Sequence, residues 1–196
     1  MRSQKIDIRN LFIEVYKAYP AKTVHKDGIE NSNNIILPPS ALNELSHMND
    51  FNNSNAPILF RILNIELNIF THCGVAEFTA EEGTCYLPTT MFDRLCLMEG
   101  QKVSIRNTAL KLGTFIKLQP HLTEFTENPE HNILEYNLRN YFCVTEGDTI
   151  SVKHGGKTYK LDVIECKPEK AIRTLNTNIE IDFCPSKDYK VPSKDV

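Results

Sequence analysis

Tryptophan is absent from the 196 residues of this chain, and glycine occurs only 8 times. No two of its 6 cysteines form a Cys-x-x-Cys pair, so the spacing that marks zinc ribbons and thioredoxin-like redox centres is missing. No apolar run approaches the roughly 20 residues that a membrane-spanning helix needs. The opening Met1-Arg2-Ser3-Gln4-Lys5-Ile6-Asp7 carries charges with no apolar signal region behind them. Neither sign of charge dominates: 22 basic and 25 acidic residues leave a net charge of −3. That balance argues against a general binder of nucleic acid or anionic membrane. What remains is an ordinary globular composition, 41% hydrophobic and 24% charged, long enough for one large domain or two small ones. The expected location is cytoplasmic and nuclear, with relocation to an organelle left open if a leader has been removed.

The cysteines stand at widely spaced positions, Cys73, Cys85, Cys96, Cys143, Cys166 and Cys184, mostly inside apolar patterns. They are expected to be reduced thiols acting as small hydrophobes, with Cys85, Cys96 and Cys143 buried. No metal, disulfide or cofactor is expected.

One pattern occurs twice. Ile35-Ile36-Leu37-Pro38-Pro39-Ser40-Ala41-Leu42-Asn43-Glu44-Leu45 is echoed fifty residues later by Cys85-Tyr86-Leu87-Pro88-Thr89-Thr90-Met91-Phe92-Asp93-Arg94-Leu95. Each copy reads as a short apolar strand, a Leu-Pro corner and a short helix, over 39–48 and 89–98. Each is followed by another strand, at Ile58–Ile62 and Val103–Arg106. Two copies are too few for a solenoid, so the pattern predicts a closed unit of two related halves.

Leu11–Pro20 is rich in aromatic and β-branched residues and reads as a strand, and 21–34 as a polar, mobile loop. Asp50–Asn55 is a second polar loop. Thr71–Thr79 is a strand in which Gly74 allows a bulge or a close backbone contact. Gly100 is expected to end the second helix as a left-handed cap, and Thr114–Pro120 to be the last strand of the first region. Asn128-Pro129-Glu130 starts a helix with an apolar face at Ile133, Leu134 and Leu138. Alternation on both sides of Gly155-Gly156 marks a hairpin, and Asn178–Phe183 a final strand. The tail from Pro185 is expected to fray.

Catalytic patterns are weak. His72 and Cys73 are neighbours in a strand, so their side chains point to opposite faces and cannot pair. Gly155-Gly156-Lys157 lacks the rest of a phosphate loop, and Asp148-Thr149 is followed by Ile150 where an aspartic protease has glycine. No active centre is expected, and the chain is read as not an enzyme.

Several ordered segments together resemble a known family. They are Ile35–Leu42, Thr71-His72-Cys73-Gly74-Val75-Ala76-Glu77-Phe78, Glu82-Gly83-Thr84-Cys85-Tyr86-Leu87-Pro88, Leu134–Asn140, Thr145-Glu146-Gly147-Asp148, Lys167-Pro168 and Asp182-Phe183. The family is the N-terminal domain of ubiquitin fusion degradation protein 1, and the match runs from about Phe12 to Tyr189. It departs from the family where Thr90 stands near the position of a usual tryptophan and where Tyr136 replaces a usual asparagine. Phe70 also looks divergent.

The resemblance implies a β-rich α+β fold: a double-psi β-barrel over about 10–120, an α+β roll over about 121–190, and a tail at 191–196. It implies a non-enzymatic adaptor that binds ubiquitin and ubiquitin chains. It also implies partners engaged through segments C-terminal to this region, namely nuclear protein localisation protein 4 and a AAA ATPase of the valosin-containing-protein type. The alternatives are a substrate-recognition domain of a AAA ATPase, or an organelle-relocated family member in protein import. Ubiquitin's usual recognition surface is apolar with a basic rim, so a partner should offer apolar residues flanked by carboxylates. Two segments have that composition, Ala80–Tyr86 and Asp162–Glu165, and each is equally readable as an ordinary strand end. The candidate contacts are Glu81, Glu82, Cys85 and Tyr86 in the first, and Asp162, Val163 and Glu165 in the second.

Overall fold

The computed structural model describes residues 11–48, 57–127 and 131–189. The opening segment, the 50–55 loop, the helix start at Asn128-Pro129-Glu130 and the 191–196 tail lie outside the described residues. Six strands form a closed barrel: β1 (Ile13–Pro20), β2 (Asn34–Ile36), β3 (Leu59–Asn64), β4 (Ile69–Glu77), β5 (Thr84–Leu87) and β6 (Gln101–Thr108). Helix α1 (Pro39–Ser46) follows β2, and α2 (Thr89–Arg94) follows β5. Around the barrel the order is β1-β5-β2-β4-β3-β6.

Exchanging β1 with β4, β2 with β5 and β3 with β6 leaves this pairing scheme unchanged. The parallel pair β1–β5 maps onto the parallel pair β4–β2, and the antiparallel β1–β6 onto β4–β3. The pairs β2–β5 and β3–β6 map onto themselves. The fifty-residue repeat is therefore a symmetry of the strand pairing, each half supplying strand, strand, helix and strand.

Strand alternation fills the interior. Phe12, Phe60, Ile62, Cys85, Leu87, Val103 and Ile105 are at most 1% exposed and form one cluster with Leu37 and Leu45. Phe12 and Phe60 meet edge to face at 5.7 Å. Burying one such side chain contributes about 1.5–3 kcal/mol, so this cluster outweighs any single polar contact in the barrel.

The second unit carries β7 (Phe115–Pro120), α3 (Glu124–Glu127), α4 (His131–Leu138), β8 (Cys143–Thr145), β9 (Thr149–His154), β10 (Lys157–Lys167), β11 (Ala171–Arg173) and β12 (Glu180–Phe183). Its main sheet has the order β12-β7-β10-β9, with β11 and β8 as a separate pair. Its core gathers Ile116, Leu118, Leu134, Tyr141, Val152, Leu161 and Ile172. The strand at 115–120, expected to close the first region, pairs instead with β10 and β12. The predicted hairpin is present: His154 lies opposite Lys157, and Gly155 and Gly156 both take positive φ, as a two-residue turn between twisted strands requires.

Three further expectations are corrected. Residues 21–34 are not a mobile loop but hold two 3-10 turns, Ala21–Val24 and Asp27–Ile29, and lead into β2. Ala21 and Ile29 pack with Ile36, Ala80 and Tyr86. Helix α2 ends at Arg94, and Cys96 takes the left-handed conformation directly behind it (φ +50°); Gly100 also has positive φ (+78°), but it stands at the entry to β6 rather than at the helix end. The turn behind the helix points Leu95 and Leu97 inward and leaves Cys96 exposed, against the expectation of burial. The segment 185–189 is docked rather than frayed: Lys187 N–H donates to the Pro120 carbonyl, and the Asp188 carboxylate accepts from Thr123 N–H at 2.8 Å.

The two units meet through polar side chains. Asn33 accepts from Phe142 N–H at 3.0 Å and donates to the Cys143 carbonyl. His72 Nδ1 lies 3.0 Å from Thr145 Oγ1, and Thr71 donates to Asp148 at 2.7 Å. Gly74 allows the close approach: a Cβ there would meet the Asn34 amide oxygen and lie 2.5 Å from the Phe142 ring.

Candidate functional site

Structure divides the first candidate segment by role. Glu81 is exposed, and its carbonyl accepts from Thr84 N–H and Oγ1, which closes the turn into β5. Glu82 is exposed but engaged: its carboxylate accepts from Ser40 N–H at 3.2 Å and from Ser40 Oγ at 2.5 Å. The N-cap of α1 is Pro38, which offers no side-chain cap, so Glu82 satisfies the helix start from the turn that precedes β5. Glu30 does the same for α2, whose N-cap is Pro88, by accepting from Thr89 N–H at 3.1 Å. Glu30 precedes β2 and serves the second half; Glu82 precedes β5 and serves the first. The two caps are thus exchanged by the same swap that relates the strands. Cys85 is fully enclosed and Tyr86 is 8% exposed, packed on Tyr19 and Ile36. Neither presents the open apolar surface that the sequence reading gave it.

The second segment splits in the same way. Val163 is 1% exposed. Asp162 joins three elements: it accepts from Thr149 Oγ1 at 2.8 Å, contacts His121 Nε2 at 2.8 Å and pairs with Lys187 Nζ at 2.5 Å. Burial alone would raise its pKa, but the bonds from Lys187, His121 and Thr149 outweigh burial and hold it below the usual carboxylate range. The register of β10 on β7 shifts between Val163 and Glu165, a bulge that turns Ile164 out to 44% exposure. Glu165 stands beside it, partly exposed, with Lys167 at 3.4 Å. Ile164 and Glu165 are what this segment offers a partner. The two segments belong to different sheets, β5 in the barrel and β10 in the second unit.

A larger concave surface lies between α3, α4, the β9–β10 hairpin and β12. It is a cleft of about 880 Å³. Phe125, Tyr159 and Phe183 line it, with Phe125 5.5 Å from Tyr159 and 6.2 Å from Phe183, and Ile133, Ile179 and Ile181 add aliphatic surface. Glu124, Glu135 and Asp182 stand among its lining residues. Their ion pairs, with Lys157, Arg139 and Lys117, join partly or largely exposed side chains, so they are weak and exchangeable. Apolar residues flanked by carboxylates are thus assembled from 124–183. Sequence reasoning missed the cleft because its residues are up to 59 positions apart and each segment alone reads as core or loop.

Burial keeps the thiols at and near the polar seam protonated. Cys73 is fully buried and burial pushes its thiol well above the ordinary value; Cys85 and Cys143 are raised by the same cause. His72 is lowered to about 4, chiefly by burial, with Arg61 and Arg106 adding to it. Asp148 is pushed up to about 7 by burial, against hydrogen bonds from Thr71 and Thr145 and the charge of Arg94. Among the described residues no group of three or more His, Cys, Asp or Glu could hold a metal ion.

Two family models meet end to end on this chain. Residues 12–111 match ubiquitin fusion degradation protein UFD1, N-terminal subdomain 1, and residues 112–186 match subdomain 2. The chain belongs to the ubiquitin fusion degradation protein 1 family. The family's subdomain division falls between β6 and β7, where strand pairing passes from the barrel to the second sheet. The chain is similar to human ubiquitin recognition factor in ER-associated degradation protein 1, with 37% identity over 96% of this chain and 62% of the relative. It is 40% identical to the Dictyostelium discoideum ubiquitin fusion degradation protein 1 homolog over 89% of this chain and 53% of the relative. With ubiquitin fusion degradation protein 1 of Saccharomyces cerevisiae the figures are 35%, 95% and 53%. The chain therefore spans just over half to about three fifths of the length of these curated relatives.

Proposed function

We propose that this chain is a non-enzymatic ubiquitin-binding domain of an adaptor that delivers ubiquitylated proteins to a AAA unfoldase for proteasomal degradation. The observation that carries this reading is the unbroken family match across both units, to relatives whose names specify ubiquitin recognition and ubiquitin fusion degradation. Within the same reading the barrel, with its two interlocked halves, is of the double-psi type, and the second unit is the α+β roll beside it. The family resemblance adds nuclear protein localisation protein 4 and a valosin-containing-protein-type ATPase as partners. They would be engaged by regions that the relatives have outside the matched length. The setting is cytoplasmic and nuclear.

The preferred contact is the cleft of the second unit. A ubiquitin surface with an apolar centre and basic rim would place its centre on Phe125, Ile181 and Phe183 and its cations near Glu124, Glu135 and Asp182. Ile164 and Glu165 supply a second, smaller contact on the same unit. Glu81 and the outer part of Glu82 are what the barrel adds.

Calorimetric titration tests the reading. Mono-ubiquitin is expected to bind on the order of 10–1000 μM, and linked chains several-fold tighter through multivalency. Glu135→Lys reverses a rim charge on a side chain that is 73% exposed, so the fold is spared while affinity falls about three- to tenfold. Absence of heat at two well-separated temperatures, with chains at millimolar ubiquitin, would refute the binding function. Unchanged affinity in Glu135→Lys would refute the cleft.

A further inference from the structure

Strand register sets like charges opposite one another on the outside of the barrel. Lys17 of β1 lies opposite Lys102 of β6, and Arg106 of β6 lies opposite Arg61 of β3. Ile13 extends the arginine row, and a row of Val15, Ser104, Leu63 and Phe70 runs between the two cationic rows. Ile13 is 49% exposed, Val15 48% and Phe70 39%; Lys17, Lys102 and Arg106 are exposed and Arg61 half-buried. The surface is a lattice of cations and apolar side chains with no acidic residue at these positions.

Like charges directly opposite on a sheet are destabilising, and a carboxylate beside them would relieve the repulsion. Elsewhere in the chain Lys26, Lys111, Lys117, Lys157 and Lys187 each take an acidic partner. Among the described residues none pairs with Lys17, Lys102, Arg61 or Arg106, although the chain has more acidic than basic residues. Acidic groups are not scarce; among the described residues β3 and β6 carry none, and Glu14 of β1 has the opposite parity to Ile13, Val15 and Lys17. Arg61 stacks 3.9 Å above the Phe70 ring, which holds its guanidinium flat beside the apolar row.

We propose that this face docks an acidic segment of a partner protein, one that carries apolar side chains between its carboxylates. The barrel is closed and has no free edge, so the segment binds through side chains rather than by adding a strand. Its carboxylates meet the Arg61–Arg106 and Lys17–Lys102 pairs, and its apolar side chains cover Val15, Leu63 and Phe70. The surface is opposite in charge to the acid-rimmed cleft, so a ubiquitin face with a basic rim is repelled here. It is a second binding function, independent of the first. Overall composition conceals it, because a net charge of −3 says nothing of how register sorts the charges.

The probe is a fluorescein-labelled peptide alternating aspartate and leucine, titrated into the chain and followed by anisotropy and by amide shifts. Binding on the order of 100 μM is expected, weakening at high salt, with shifts centred on β1, β3 and β6. The Arg61→Gln/Arg106→Gln double variant is expected to bind about tenfold more weakly, and its affinity for mono-ubiquitin to stay unchanged. Lys102→Gln, at an exposed position, gives a smaller loss and serves if the double variant misfolds. Unchanged peptide affinity in these variants, or shifts outside the barrel face, would overturn the proposal. So would an aspartate–serine peptide, an anionic phosphatidylserine vesicle or a single-stranded oligonucleotide binding as well as the aspartate–leucine peptide, since the apolar row would then have no part.

Discussion

Glu82 caps the helix that begins at Pro39 by accepting from Ser40, 42 positions earlier in the chain, and it does so because Pro38 cannot. Glu30 stands in the same relation to Thr89. A helix start without a capping side chain leaves donors unsatisfied, and replacing a good cap costs about 0.5–2 kcal/mol. Glu82→Ala and Glu30→Ala should each lower stability in denaturant unfolding by roughly 1 kcal/mol. The two losses should add, since the caps share no partner. A neutral result for either would mean that water serves that helix start equally well.

Gly74 sits where β4 passes under Asn34 and Phe142. Gly74→Ala puts a methyl group into that contact, and overpacking of this kind costs about 1–3 kcal/mol. Chemical unfolding should show the loss. Full stability of the variant would show that the Phe142 ring can move aside freely.

The seam also holds two groups that titrate in opposite senses. Asp148, raised to about 7 by burial, favours the fold while protonated, so its contribution is full below the unfolded value of about 3.9 and is lost as pH rises toward 7. His72, lowered to about 4 by burial, favours the fold while neutral, so its contribution is full above about 6.5 and is lost as pH falls toward 4. Between these limits the two slopes oppose each other. Asp148→Asn should therefore unmask a fall in stability on acidification from 6.5 to 4. His72→Gln should unmask a fall as pH rises from 4 to 7. Unfolding midpoints across that range check both signs, and identical profiles for the parent and both variants would contradict them.

Cys96 is exposed in its left-handed turn, Cys184 is half-buried, and the other four thiols are buried. An aromatic disulfide reagent added to the native protein should label one thiol rapidly, a second more slowly and the rest only on unfolding. Mass mapping should place the first on Cys96. Rapid labelling of Cys85 or Cys143 would contradict the packing.

Local patterning made the barrel and one hairpin of the second unit legible. The Leu-Pro corners at Leu37 and Leu87, the alternation in Val103–Ile105 and the Gly155-Gly156 turn each carry their signal within a few residues. The misreadings fell where long-range contact decides. The polar run around Asn33 looks like loop, yet its amide serves Phe142 and Cys143 more than a hundred positions away. Glu82 looks like a free surface acid until Ser40 is placed beside it. Val163 and Ile164 were read together, and only the bulge opposite Lys117 shows that one faces the core and the other water. The cleft had no local signal at all, because Phe125, Tyr159 and Phe183 are neighbours only once β7, β10 and β12 are laid side by side.

Recognition of ubiquitin through the second unit is tested by an amide-shift map of the isotope-labelled chain during titration with linked ubiquitin. Shifts are expected to concentrate on α3, α4, the 154–159 hairpin and β12, with a lesser set at Ile164 and Glu165. Amides that stay unmoved at millimolar chain concentration would contradict that recognition.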